Sequence, residues 1–216
     1  MGLVYEFCSK LAQFTALNVF SLQVHGRENI IEEGPALIAS NHQSFLDPPL
    51  VGSCLHRQIH YLARKTLFDI PIVGKLLPHL RVIGVDRDGA DMSALKAVIR
   101  LVKDGGSTIV FPEGTRTSDG TLQPAKAGLG LIIAKTLAPV VPARIFGAFD
   151  AFPRSAKFPR RAPVTVVFGK PLHFTKADTA GDPREVYQRL SDRVMVAIAA
   201  LVDPVNPRCD FEPQRV

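Results

Sequence analysis

The sequence predicts a single α/β domain, with a mixed, largely parallel central sheet flanked by helices and an amphipathic helix in front of it. Three observations carry that expectation. Short apolar or β-branched runs, such as 35–40 (PALIAS), 107–111 (STIVF) and 164–168 (VTVVF), alternate with segments of helical period. The chain has 216 residues, enough for one sizeable core and not plainly for two. Its balance of 46% hydrophobic and 21% charged residues is that of a globular chain, not a disordered one.

Taken in order, residues 3–18 set Leu3, Phe7, Leu11, Phe14 and Leu17 at spacings of three and four, with Val4 and Cys8 alongside. This is one apolar face of a helix. It suits a helix packed on the domain as well as one lying in a membrane interface, because the polar side is not strongly basic. Residues 20–24 read as a short strand ending at His25-Gly26. The run 35–40 is a buried strand opening into a loop, and 49–55 begins a helix. Residues 58–63 (QIHYLA) and 81–85 (RVIGV) are further strands. Between 91 and 104, Leu95, Val98, Ile99 and Val102 form a helical stripe that Gly105-Gly106 stops. A strand at 107–111, a helix at 129–137 and strands at 140–145 and 164–168 follow. The closing helix spans 182–201, with Pro183 suited to its first turn. Residues 204–216 read as a loose tail.

Lysine and arginine number 26 against 20 acidic residues, a formal net charge of +6. Such an excess suits nucleic acid, an acidic membrane surface or a phosphorylated substrate. Cys8, Cys54 and Cys209 are scattered and form no CxxC, which fits free thiols in a reducing compartment better than a disulfide framework or a zinc site. The early apolar stretch is broken by Glu6, Lys10 and Gln13, so neither a signal peptide nor a membrane span is expected. His56 and His60 are four apart, but 58–63 reads as a strand rather than a helix and no third ligand is evident, so no metal is expected. Phe149, Phe152 and Phe158 interleave with Arg154, Lys157, Arg160 and Arg161, a pattern that suits an anionic lipid surface or an ordinary exposed loop.

Two blocks carry chemistry. The first strand of the core runs into Asn41-His42-Gln43-Ser44-Phe45-Leu46-Asp47-Pro48. A His and an Asp five apart beyond a strand end can meet across a turn, at the edge where open α/β sheets bind ligands. The imidazole can take a proton from an alcohol, and the carboxylate can hold its tautomer. The second block, Phe111-Pro112-Glu113-Gly114-Thr115-Arg116, also follows a buried strand. Its Pro and Gly shape a turn, and Arg116 can grip a phosphate with paired hydrogen bonds. Each block alone is also compatible with a surface turn.

Together the two blocks resemble the NHxxxxD and FPEGTR motifs of the PlsC-type glycerolphospholipid acyltransferases, the lysophosphatidic acid acyltransferase family. Val82–Arg87 and Val141–Ile145 resemble two further blocks of that family, and the likeness runs from about Gly26 to Gly169. Gly84 stands where relatives often carry a larger apolar residue, and Pro124-Ala125 where they often carry aromatic or basic ones. The resemblance implies direct attack of the sn-2 hydroxyl of a 1-acylglycerol 3-phosphate on an acyl thioester, giving phosphatidic acid with no acyl-enzyme. It makes His42 the base and Asp47 its partner. Arg87, Glu113, Gly114, Thr115 and Arg116 contact the acceptor, and Pro142 shapes the acyl region. Lys65, Lys126 and Arg144 are second-rank phosphate candidates that read better as solvated surface cations, and backbone N–H groups near the two blocks are the expected oxyanion donors.

The implied organisation is a membrane-associating helix at 1–20, an acyltransferase domain at 21–203 and a tail at 204–216. Acyl-CoA or acyl carrier protein is the co-substrate, with no further cofactor and no metal. The partners are the lysolipid acceptor and an anionic membrane surface, not nucleic acid, at the cytoplasmic face of the inner (plasma) membrane. Another lysolipid acceptor, such as a lyso-ornithine lipid, or a non-catalytic lipid-binding role are the competitors. All of it requires the ring of His42 to touch Asp47 on the same side of the sheet as the FPEGTR turn.

Overall fold

The computed structural model describes residues 2–85 and 92–206. Its centre is a five-stranded sheet in the order β1 (Gln23–His25), β7 (Thr165–Phe168), β6 (Val140–Phe146), β2 (Ala36–Ser40) and β5 (Ser107–Val110). Every neighbouring pair is parallel except β6 with β7. All five residues of β2 are buried, as a strand covered on both faces must be. Ile38 enters one apolar cluster, while Leu37 and Ala39 enter the other.

The first cluster is closed by α1 (Leu3–Val19) and α2 (Asp47–Ser53), through Ala16, Leu50 and Val51. The second is closed by α4 (Met92–Lys103), α5 (Gly128–Thr136) and α7 (Pro183–Ala199), through Val98, Val102, Ile133, Leu190 and Val194. The result is helix, sheet, helix in three layers. Asp182 caps α7, accepting from the amides of Arg184 at 2.9 Å and Glu185 at 3.3 Å, with Pro183 in the first turn.

Three local expectations change. The strand expected at 58–63 is β3 (Tyr61–Arg64), which pairs in parallel with β4 (Val82–Val85) as a separate ribbon. The ribbon reaches the main sheet through one bridge, His60 to Thr108. Two short helices, α3 (Pro71–Leu76) and α6 (Ala148–Ala151), have no counterpart in the sequence reading. Finally, of the two settings open for α1, its apolar stripe faces outward: Leu3, Phe7, Leu11, Phe14 and Leu17 are exposed, and the helix docks through Tyr5, Cys8, Ala12 and Ala16. Cys8 and Cys54 are free thiols. Arg87, Cys209 and the tail from residue 207 lie outside the described residues.

Candidate active site

β2 and β5 are parallel neighbours, with Ala39 opposite Val110, so the two blocks leave the sheet side by side at its carboxyl edge. Asn41 anchors the first block: its Nδ2 donates to the Ile145 carbonyl at 3.0 Å and its Oδ1 accepts the Ile145 amide at 2.8 Å. The Thr117 amide donates to the His42 carbonyl at 2.9 Å, stitching one block to the other.

The His42 ring lies flat on Phe111, with centroids 3.9 Å apart and planes at 15°. Its Nδ1 is 2.7 Å from Asp47 Oδ2. A carboxylate there selects the tautomer protonated at Nδ1, which leaves the Nε2 lone pair free as a base. Asp47 opens α2 and is 0% exposed; the same Oδ2 accepts the amides of Gln43 at 2.6 Å and Ser44 at 2.7 Å. Burial pushes the Asp47 carboxyl above its ordinary range, against the pull of His42 and those two amides.

Beside the imidazole opens a cavity of about 610 Å³, lined by His42, Phe45, Arg64 and Arg116 together with apolar side chains from α1, α2 and β3. That size and lining suit a lipid chain with a charged head. The Arg116 guanidinium lies 3.3 Å above the Phe45 ring. Gly114 tops the second block at φ +68°, where only glycine is unstrained, and Thr115 beside it is half-buried. Lys126 is exposed and arches over Gly114, and Lys65 is exposed just past β3. Arg64 is a cavity residue that the motifs do not flag, because its placement depends on how the β3–β4 ribbon docks.

Three expected roles do not match the geometry. Glu113 is 2% exposed and takes the His42 amide on Oε1 at 3.2 Å, so it lies under the His42 loop with no open face for an acceptor. Its carboxyl is pushed up to about 8, first by burial and further by Asp47, against the pull of the His42 and Gln123 amides. Pro142 sits within β6 opposite Ala39, and its carbonyl accepts the Gly169 amide at 2.8 Å; it is buried in the sheet and does not line the cavity. Arg144 donates to the carbonyls of Ala199 at 2.8 Å and Leu201 at 2.6 Å, closing the end of α7 rather than meeting a phosphate. Gly84 is small because an added Cβ would press on Phe68 and Lys65.

His56 and His60 face different partners, the Arg27 guanidinium at 3.5 Å and the Ser107 carbonyl at 3.3 Å. The basic-aromatic loop flanks the site. Ser44 Oγ donates to the Phe152 carbonyl at 2.8 Å, and the Phe152 and Phe45 rings are 5.8 Å apart.

A family model described as Acyltransferase matches residues 21–146. A chloroplastic 1-acyl-sn-glycerol-3-phosphate acyltransferase of Brassica napus is 33% identical over 82% of this chain and 53% of its own length. The 1-acyl-sn-glycerol-3-phosphate acyltransferase of Bacillus subtilis is 31% identical over 95% of this chain and 94% of its own. The chain thus spans about half the plant relative but nearly all of the bacterial one. Among solved structures, the 1-acyl-sn-glycerophosphate acyltransferase PlsC of Thermotoga maritima superposes with a TM-score of 0.72 and 26% identity, covering 91% of this chain and 79% of that one.

Proposed function

The chain belongs to the PlsC-type acyltransferase family, and from that premise we propose that it moves a fatty acyl group from a thioester to the sn-2 hydroxyl of 1-acylglycerol 3-phosphate, making phosphatidic acid. The observation that carries this is the imidazole of His42, held by Asp47 at 2.7 Å in a cavity whose lining also includes Arg64 and Arg116. Nε2 takes the hydroxyl proton as the oxygen attacks the thioester carbonyl, and the tetrahedral intermediate then expels the thiolate, which recovers the proton from the imidazolium. Base catalysis of this kind contributes about 10²–10⁴-fold.

Oxyanion stabilisation falls to few groups. The amides of His42, Gln43, Ser44, Gly114 and Thr117 are already engaged within the fold. Among the described residues, the amide of Phe45, a cavity-lining residue with no acceptor of its own within the fold, is the leading candidate, with the Thr115 amide of the second block behind it. Two arginines in the lining favour a phosphate-bearing acceptor over a lyso-ornithine lipid, because a guanidinium matches phosphate oxygens in pairs. Arg87 is a further proposed phosphate ligand. Acyl-CoA or acyl carrier protein serves as donor, no cofactor enters the scheme, and the working surface is the cytoplasmic side of an anionic membrane. A panel of lysolipids assayed with both donors tests the assignment. We expect transfer to 1-acylglycerol 3-phosphate to dominate, and preference for a phosphate-free acceptor would overturn it.

A further inference from the structure

We infer that Glu113 is a positioning residue for the base: its carboxyl, sealed beneath the first block, fixes the loop that carries the imidazole and does not touch the acceptor lipid. The inference rests on the acyl-transfer reading of His42. Glu113 is 2% exposed and absent from the cavity lining. Its Oε1 accepts the His42 amide at 3.2 Å, while Oε2 is buried with no well-formed hydrogen bond among the described residues and only the pull of the Gln123 amide on the carboxyl. The remaining restraints on His42 are the Thr117 amide on its carbonyl, the Phe111 face and Asp47. Glu113 thus holds the backbone of His42 itself from below, as Asp47 holds the amides of Gln43 and Ser44.

The charged group acting on it is Asp47 from α2; Arg116 follows in its own turn, and Lys126 arches over the neighbouring Gly114. No cation is paired with it among the described residues. A second anion there would face Asp47 and the incoming phosphate, and burial holds the carboxyl up to about 8, so the working form is the neutral acid. A neutral carboxyl still offers its carbonyl oxygen to the His42 amide. A glutamine carboxamide offers the same oxygen, whereas alanine offers none.

Glu113→Gln and Glu113→Ala in the full chain, with thermal melts to verify folding, separate the possibilities. We expect the glutamine variant to keep kcat within a few-fold. The alanine variant should lose about 10²-fold in kcat, the cost of misplacing a reacting group by about 1 Å, with little change in acceptor KM. A rise in acceptor KM with kcat intact, or a glutamine variant as weak as the alanine one, would overturn the proposal. Two readouts do not need turnover. The ¹³C-labelled Glu113 carboxyl should titrate well above other glutamates, and the His42 amide should lose hydrogen-exchange protection in Glu113→Ala but keep it in Glu113→Gln. A carboxyl titrating in the ordinary range, or unchanged amide protection in the alanine variant, would count against it even if the acyl-transfer reading itself failed.

Discussion

Three atoms converge on one oxygen at the residue scale: Asp47 Oδ2 accepts the His42 ring at 2.7 Å and the amides of Gln43 and Ser44 at 2.6 and 2.7 Å. The carboxylate therefore orients the base and folds the loop at once. His42→Ala removes the base, so we expect kcat to fall by about 10²–10⁴-fold, with a folded chain whose melting temperature drops because buried Asp47 loses its ring partner and Phe111 its stacked neighbour. Asp47→Asn should lower both activity and stability, because its NH₂ replaces an acceptor that is fully buried. Arg116→Ala should raise acceptor KM more than donor KM, measured by steady-state kinetics in both substrates.

Glu113 adds a pH dependence. Its folded carboxyl binds a proton up to about pH 8, while the unfolded carboxyl releases it near 4.5. Between those values the native state holds the extra proton, so this contribution is complete below about pH 4.5 and is lost as pH rises towards 8. Thermal melts should show Glu113→Gln gaining on the parent chain as pH rises from 5 to 8, with the two curves running parallel below 4.5.

Parallel pairing of β2 and β5 is what makes a site of two short motifs 70 residues apart, and the sequence exposed most of that. The strands were legible because 36–40 and 107–110 are apolar or β-branched apart from a serine at one end, and the blocks were legible because each directly follows one. The direction of side chains was not. Glu113 and Arg116 occupy the same turn, and only the docking of that turn under His42 sends one inward and the other to Phe45. Nor was α3, whose six residues give no helical period to read. At α5 the sequence hid a contact: Gly130 donates to Ser191 Oγ at 2.8 Å, and a Cβ there would overlap the Tyr187 carbonyl. Gly130→Ala should cost about 1–3 kcal/mol in chemical denaturation by forcing α5 and α7 apart, against the small gain alanine gives an unstrained helix.

Across the whole molecule, α1 joins the surface to the chemistry. Its inner residues Tyr5, Cys8, Ser9 and Ala12 line the same cavity as His42, while Leu3, Phe7 and Phe14 on its outer side are 84%, 69% and 65% exposed. Near it, Ile70 and Ile72 of the α3 region are exposed as well. A large run of bare apolar side chains marks an interaction surface. No described helix is long and apolar enough to cross a bilayer, so the contact expected is a helix lying in the interface. On the proposed membrane function, α1 would anchor the chain in the interface and a lysolipid would enter the cavity along its inner side. Each phenylalanine buried in lipid contributes roughly 1.5–3 kcal/mol, about tenfold or more in partitioning. Phe7→Asp with Phe14→Asp should therefore release the chain from anionic vesicles by at least about 100-fold in sedimentation. Turnover of a lysolipid embedded in vesicles should collapse with it, while turnover of a short-chain, monomeric lysolipid should persist, since neither side chain enters the cavity lining. Val196→Asp, an equally exposed apolar site on α7, should change neither quantity. Binding that survives the double substitution would shift the anchor to the basic-aromatic loop around Phe158.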